Sequence, residues 1–234
     1  MLFRVDRAMD PVTSPQSPNA ELAVDVVSDV VCPWCYIGKR KLEAALAELR
    51  AREPHLEPKV RWHAFQLNPD LPRGGIPRTA YLEAKFGGKA RAAEIYSRVQ
   101  AVGAEVGIAF AFERITQQPN TLDAHRLIAW AQERGDADAL VERLFRAYFI
   151  EGRFVGDRDE LVAAAVSCGL QELEARGMLT SDALRTEVEA ESREAQDSGI
   201  TGVPFFIFNG RTAVAGAHDP ATLLEAIAAA RQAG

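Results

Sequence analysis

The chain has 234 residues, of which 47% are hydrophobic and 26% are charged, with a formal net charge of −6. This size allows a substantial core, either in one large domain or in a domain with an insertion. The acidic balance argues against a nucleic-acid-binding surface, and no apolar run approaches the ~20 residues of a membrane-spanning helix. We therefore expect neither nucleic acid nor membrane as a partner.

The first 20 residues differ in composition from the rest of the chain. Three prolines fall within residues 11–18, and charged residues such as Arg4 and Asp6 interrupt the apolar core that a signal peptide requires. We expect residues 1–20 to form a flexible tail and the protein to reside in the cytoplasm, where thiols are mostly kept reduced. A CXXC motif in that compartment is more often catalytic or metal-binding than structural.

The next segments predict a strand, a helix and a second strand. Residues 22–31 (LAVDVVSDVV) are rich in valine, which is typical of a buried strand. Residues 35–50 place leucines and alanines at helical spacing between charged residues. Residues 59–65 (KVRWHAF) alternate polar and apolar side chains, as a half-buried strand does. Together they predict a βαβ unit.

A long helical block follows. Residues 71–198 consist mainly of short amphipathic stretches separated by glycine, Asp or Thr-Ser. One of these helices has clear start signals, because Asn120 or Thr121 can cap it and Asp123 lies in its first turn.

Strand signals return near the end of the chain. Residues 203–217 contain two apolar runs separated by Asn209-Gly210, which predicts a hairpin with positive φ at both turn positions. A final helix follows, with Pro220 at its first position.

The order of elements therefore predicts an α/β protein with a thioredoxin fold. Residues 21–70 and 199–234 supply the βαβ and ββα halves, and residues 71–198 form an all-helical insertion domain between them.

The CXXC motif lies where the first strand passes into the helix. Free N–H groups and the helix dipole favour a thiolate at Cys32, and Cys35 lies one turn further, where it can close or resolve a disulfide with Cys32. Pro33 suits a helix start, since no N–H is needed there. Trp34 offers an apolar surface beside the sulfur.

Two other interpretations of the motif are a pair of inert buried cysteines and half of a zinc site. A structural zinc site normally has four ligands. This chain has no second CXXC, the third cysteine (Cys168) stands alone, and the histidines are scattered at positions 55, 63, 125 and 218. We therefore favour a redox dithiol and expect no metal.

Residues 201–204, Thr-Gly-Val-Pro, come directly before the hairpin. A proline that enters a strand removes a ladder hydrogen bond and needs an explanation. In thioredoxin-like folds a cis proline at this point faces the CXXC motif. We expect Pro204 to be cis, and the backbone at Val203 and Pro204 to bind a substrate chain in the manner of an added strand. A trans proline at the first residue of the strand is the alternative.

Four motifs in order, SDVVCPWCYIGK, FQLNPDLP, PNTLDAH and GITGVPFFIF, together resemble the DsbA-like thioredoxin superfamily, in particular its cytosolic FrnE-like branch. The resemblance runs from about Leu22 to the C-terminus. It implies a redox-active Cys32–Cys35 pair and a cis Pro204. It also implies oxidase, reductase or isomerase activity on the disulfides of proteins or small thiols.

No cofactor beyond the dithiol is implied, and glutathione or another low-molecular-weight thiol is a candidate co-substrate. A monomer and a homodimer both fit the sequence. Reduction potentials of such dithiols range from about −270 to −120 mV, so the direction of electron flow stays open.

Three further residues are candidates for accessory roles. Asp29 precedes Cys32 by three residues and is either a general base or a strand-end residue that binds backbone amides. Asn120 and His125 belong to the PNTLDAH motif, which the resemblance places along the cleft. His125 also lies on the apolar side of its helix and could simply be packed. We expect Cys168 to be a buried, inert thiol; a second redox cysteine is the alternative. Tyr36 and Phe65 are expected in the core.

Two rival functions remain at this point. One is a glutathione-dependent isomerase or transferase of the same architecture, against which the intact CPWC motif counts. The other is a chaperone-like binder of unfolded chains, which would not need the cysteines.

Overall fold

The chain forms a small β-sheet whose halves are separated in sequence by a run of helices. The computed structural model describes residues 21–135 and 137–232, so the tail predicted for residues 1–20 lies outside the described residues. In chain order the elements are β1 (Leu22–Ser28), α1 (Pro33–Arg52), β2 (Pro58–Ala64), β3 (Ile76–Pro77), α2 (Arg78–Phe86), α3 (Lys89–Glu105), a 3₁₀ helix (Phe112–Arg114), β4 (Gln117–Gln118), α4 (Leu122–Gln132), α5 (Asp138–Phe149), α6 (Arg158–Ser167), α7 (Glu172–Thr180), α8 (Arg185–Asp197), β5 (Phe205–Phe208), β6 (Thr212–Ala215) and α9 (Pro220–Gln232).

The main sheet has the strand order β2-β1-β5-β6. Strand β1 pairs in parallel with β2 and antiparallel with β5, and β5 pairs antiparallel with β6. Helix α1 is the crossover between the parallel strands, and α9 packs against both α1 and β6. This is the predicted βαβ–ββα arrangement, and the thioredoxin fold with a helical insertion is confirmed.

Two details differ from the sequence-based prediction. Strand β1 ends at Ser28 rather than at residue 31, because the chain turns there: the Cys32 N–H donates to the Asp29 carbonyl at 3.0 Å. The insertion is also not purely helical, since β3 and β4 form a short antiparallel pair within it. The boundaries at residues 71 and 198 stay a prediction.

The hairpin between β5 and β6 has the predicted turn. Asn209 and Gly210 have φ values of 50° and 64°, as a type I′ turn requires. The Asn209 side chain also accepts the Ala23 N–H at 2.9 Å, and the Asn209 N–H donates to the Ala23 carbonyl at 2.9 Å. The turn is therefore fixed to the start of the central strand.

Helix α1 packs against both the sheet and the insertion. Tyr36 is fully buried, and its ring stacks on Phe145 of α5 with centroids 4.9 Å apart. The Tyr36 hydroxyl donates to Glu142 at 2.8 Å, and the buried Lys39 ammonium donates to Asp138 at 2.8 Å. One hydrophobic core therefore runs from the sheet into α4–α7. Tyr36 and Phe65 are both buried, as predicted.

Within residues 21–135 and 137–232, no helix is both long enough and apolar enough to cross a bilayer.

A glycine allows α1 to approach the strand that follows Pro204. A Cβ atom at Gly38 would lie 2.8 Å from Pro204 Cγ and 3.1 Å from Phe206 Cζ. Such distances are well inside van der Waals contact, and neither neighbour is the flexible end of a long side chain. The close packing of α1 on the proline therefore requires glycine at this position.

We expect Gly38→Ala to lower the free energy of unfolding by about 1–3 kcal/mol, because overpacking outweighs the better helix propensity of alanine. Gly177→Ala in α7 is the matched control, since a Cβ there meets nothing within 4 Å. The control should be stabilised by up to about 1 kcal/mol. Urea unfolding of both variants measures the difference. Equal changes in the two variants would show that the contact with Pro204 is not tight.

Candidate active site

The two cysteines lie at the N-terminal end of α1. Cys32 is the N-cap residue, and the Cys35 N–H donates to the Cys32 carbonyl at 3.0 Å. Both are free thiols. Pro33 is the first helical residue, and the Trp34 side chain is 40% exposed beside the motif. The unpaired N–H groups and the dipole of a 20-residue helix thus end at Cys32.

Cys35 is almost completely enclosed, with 1% of its surface exposed. Burial raises the pKa of the Cys35 thiol well above its usual range, and the neighbouring Cys32 raises it further. The Ser28 side chain and the Asp29 backbone favour the Cys35 thiolate and so act in the opposite direction, but they do not cancel the effect of burial. Cys35 is therefore held as a neutral thiol.

The segment before β5 faces Cys32. The Val203–Pro204 peptide bond is cis, as predicted, and the Cys32 Sγ donates to the Val203 carbonyl at 3.5 Å. Thr201 and Gly202 are exposed directly beside this contact. The structure thus brings the CXXC motif and the proline loop together, although 171 residues separate Cys32 from Val203.

Asp29 is fully buried next to the dithiol. One carboxylate oxygen accepts the Leu67 N–H at 2.9 Å, and the other lies 3.3 Å from His125 Nε2. A buried carboxylate is costly unless it is hydrogen-bonded, and these partners, together with the turn at Cys32, fix its position. Asp29 thus binds a backbone amide, as one of the two interpretations predicted.

The two residues of the PNTLDAH motif occupy different positions. His125 is buried, 4% exposed, and contacts Asp29, so it is packed and also close to the dithiol. Asn120 instead connects segments of the chain: its Nδ2 donates to the carbonyls of Pro69 and Leu71 at 3.1 and 2.8 Å, and its Oδ1 accepts the Leu122 N–H at 2.9 Å. Asn120 therefore fixes the exit from β2 against the start of α4.

Sequence reasoning missed a buried arginine of the insertion, Arg78, and the two tyrosines that it contacts. Arg78 is buried, and its guanidinium donates to the hydroxyl of Tyr96 at 2.5 Å and to that of Tyr148 at 3.4 Å. Burial is the main cause that raises the pKa of Tyr96 to about 12, and the charge of Cys32 acts in the same direction. No motif marks these residues, because aromatic residues at helical spacing also occur in ordinary cores.

A second missed group lies across β2 from the dithiol. His63 Nδ1 is 2.7 Å from Glu191 of α8, and Nε2 is 2.8 Å from Asp25 of β1. The hydrogen bond with Glu191 is the main cause that raises the pKa of His63. Burial alone would raise the pKa of Glu191, but the hydrogen bonds from His63 and from the Ala64 N–H, together with the nearby positive charge, outweigh burial and lower it. The three residues form an ion-paired cluster at the edge of the sheet.

Among the residues that the structure describes, no group of three or more His, Cys, Asp or Glu side chains is arranged to hold a metal ion.

Cys168 is not buried as predicted. Helix α6 ends at Ser167, and Gly169 turns the chain with φ 85°, so that Cys168 caps the helix and is partly exposed. The alanine- and valine-rich pattern of α6 suggested burial, but the residue lies one position beyond that helix.

The chain is similar to known proteins in both sequence and structure. The family model for the DSBA-like thioredoxin domain matches residues 23–228. The crystal structure of a probable DsbA oxidoreductase from Streptomyces coelicolor is 34% identical and has a TM-score of 0.80, covering 90% of both chains. The uncharacterised protein YwbO of Bacillus subtilis is 26% identical over 199 residues, which is 83% of this chain and 90% of that protein.

A more distant structure shares the fold. The cytosolic disulfide reductase DsbM from Pseudomonas aeruginosa, solved with GSH, is 21% identical with a TM-score of 0.59, over 90% of this chain and 96% of DsbM. At this identity the likeness concerns the fold alone. The narrower FrnE-like assignment stays a prediction.

The His63 cluster predicts a pH-dependent stability. Since the folded-state pKa of His63 is raised, its contribution is fully present below the unfolded pKa and is lost as the pH rises through the folded value. We expect His63→Gln to destabilise the protein more at about pH 5.5 than at about pH 9. Urea unfolding at the two pH values measures this, with His55→Gln at an exposed site as the control. A loss that is the same at both pH values would contradict the pairing.

Proposed function

The chain belongs to the family of DSBA-like thioredoxin domains, and from this we propose that it is a thiol–disulfide oxidoreductase that acts through Cys32 and Cys35. The family and the related DsbA oxidoreductase support this activity in general terms. One observation carries the specific proposal: Cys32 begins helix α1, contacts the carbonyl before the cis proline, and has the buried Cys35 thiol one turn behind it.

In the proposed reaction Cys32 is the attacking sulfur. Its thiolate attacks a substrate disulfide, the substrate S–S bond breaks, and a mixed disulfide forms with release of one substrate thiol. Cys35 then loses its proton and attacks the Cys32 sulfur. The Cys32–Cys35 bond forms, the second substrate thiol leaves, and the enzyme has taken the oxidised form. The reverse sequence transfers the disulfide to a substrate dithiol.

The raised pKa of Cys35 makes its proton the obstacle in the second step. We assign His125 as the base to which this proton is passed on, because Asp29 adjoins Cys35 and holds His125 beside the site through a 3.3 Å contact. A positioned base of this kind contributes about 10²–10⁴-fold to the rate of a proton transfer. Asn120 supports the base indirectly, since it fixes the start of α4, the helix that carries His125.

The substrate-binding surface that we propose is the proline loop. Thr201 and Gly202 are exposed, Val203 is partly exposed, and Trp34 presents an apolar face on the other side of Cys32. An extended chain can pair with such a backbone as an added strand. Both protein disulfides and small thiols fit this description. Glutathione is a candidate co-substrate, in keeping with the GSH-bound DsbM of the same fold, and a cytoplasmic location would provide it.

The same fold also occurs in a 2-hydroxychromene-2-carboxylate isomerase, which is 18% identical with a TM-score of 0.63. The paired thiols at residues 32 and 35 favour dithiol chemistry over the isomerase alternative, because an isomerase without thiol exchange has no use for a buried resolving cysteine. The chaperone-like alternative has no comparable observation in its favour.

We expect Cys32→Ser to abolish dithiol-dependent reduction of insulin, and Cys35→Ser to accumulate mixed disulfides that a mass spectrum detects. Cys168→Ser is the control, since Cys168 lies at the end of α6 in the insertion, and it should retain full activity. Normal insulin reduction by Cys32→Ser would refute the proposed function. Loss of activity in Cys168→Ser would show that a third cysteine takes part.

A further inference from the structure

The buried position of Cys35 raises the question of how its proton reaches solvent. Cys35, Asp29 and His125 are exposed by 1%, 0% and 4%, so none of them can exchange a proton with bulk water directly. Each turnover nevertheless moves one proton to or from Cys35. The base assigned above must therefore be connected to the surface.

A small cavity lies between this site and the surface. Its volume is about 10 Å³, and its polar lining comes from Ser28, His63, His125 and Glu191, with Val30 and Ile128 among its apolar walls. This is roughly the room that one water molecule needs, and a buried water also needs two to four polar partners. The cavity meets both conditions.

Ser28 connects the inner end of the cavity to the buried thiol, and Trp62 offers a hydrogen-bond donor to a water in it. The Ser28 side chain lies close enough to Cys35 to lower the pKa of its thiol, and it also lines the cavity. Trp62, another lining residue, is 5% exposed, and its indole Nε1 has no hydrogen-bond partner among the residues that the structure describes. Buried donors of this kind are normally paired, and an ordered water is a common partner.

The outer end of the cavity reaches solvent. The side chains of His63 and Glu191 are 32% and 36% exposed, and they are hydrogen-bonded to each other. The charged or titratable groups that face His63 are Glu191 from α8 and Asp25 from β1, and His125 of α4 acts on Glu191. The outer end thus combines an ionised carboxylate with a proton-donating imidazole.

We propose that Ser28, a water in this cavity, His125 and the His63–Glu191 pair form the proton path of the resolving cysteine. This inference deepens the proposed function and rests on it. When Cys35 attacks Cys32, the Cys35 S–H bond breaks and Ser28 accepts that proton while passing its own to the water. The water delivers a proton to His125, which Asp29 orients, and His125 returns it through the same water to Glu191 and solvent. In the reverse reaction the proton runs inward.

Ellman's reagent, a symmetrical aromatic disulfide, separates the two steps in a Cys168→Ser background. Attack by Cys32 releases the first coloured thiolate, and resolution by Cys35 releases the second. We expect Ser28→Ala to slow the second release by about tenfold or more near neutral pH, and to leave the first release unchanged. Ser28→Thr keeps a hydroxyl and should restore the rate.

Glu191→Gln tests the outer end of the path, where a change does not touch Cys35. We expect a severalfold slower second release, which recovers at high pH because hydroxide can then deprotonate the thiol. Glu194→Gln is the matched control: it makes the same change in charge on the same helix at an exposed position, and it should behave as the parent does.

The results separate a failure of the proton path from a failure of the proposed dithiol mechanism. A second release that is insensitive to both Ser28→Ala and Glu191→Gln at every pH overturns the proton path but leaves the dithiol mechanism intact. Equal slowing of both releases, or slowing that does not depend on pH, indicates a structural role and also overturns the path. Absence of a second release in the parent protein contradicts the proposed function itself.

Discussion

The buried carboxylate of Asp29 is the constraint on which the rest of the site depends. A carboxylate removed from water costs several kcal/mol unless its oxygens are hydrogen-bonded. One carboxylate oxygen of Asp29 accepts a hydrogen bond from the Leu67 N–H, and the other contacts His125. The Asp29 backbone carbonyl accepts a hydrogen bond from the Cys32 N–H. These bonds hold three segments around one residue: the turn into α1, the exit from β2, and α4. Any arrangement that separated them would leave the charge unpaired.

This constraint explains why the two cysteines differ although they share one turn of helix. Cys32 is the N-cap residue, beside the exposed proline loop, whereas Cys35 points into the region that Asp29, Ser28 and the aromatic core enclose. Burial of Cys35 favours its neutral thiol, whereas Cys32, itself only 6% exposed, lies beside the unpaired N–H groups of the helix terminus and the proline loop. The different roles proposed for the two cysteines therefore follow from their positions, without any difference in residue type.

Most of the fold could be predicted because its signals are local. The valine run of β1, the alternation in β2 and the Asn209-Gly210 turn each specify a conformation over a few residues. The dithiol and the proline could be paired because the order of elements places both beside β1.

The contacts of His63 and His125 could not be predicted from the sequence. Glu191 lies 128 residues from His63, and Asp29 lies 96 residues from His125. Such pairs depend on how the insertion packs against the sheet, and no short motif records that packing. The exposure of Cys168 depended on a helix end, which pattern reasoning places within only a few residues.

In the proposed mechanism the insertion takes part in the chemistry as well as covering the sheet. The two sulfurs, the proline loop and Asp29 lie in the turn between β1 and α1, in α1 itself and in the segment before β5. The helices of the insertion supply His125, which contacts Asp29, and Glu191, which contacts His63. The two sulfurs thus belong to one part of the chain, whereas the proposed proton path draws on both parts. Ser28, Asp29 and His63 adjoin the sheet, and His125 and Glu191 come from α4 and α8. Under this proposal the packing of α4 and α8 against β2 governs how fast the buried thiol can react, even though neither helix contributes a sulfur.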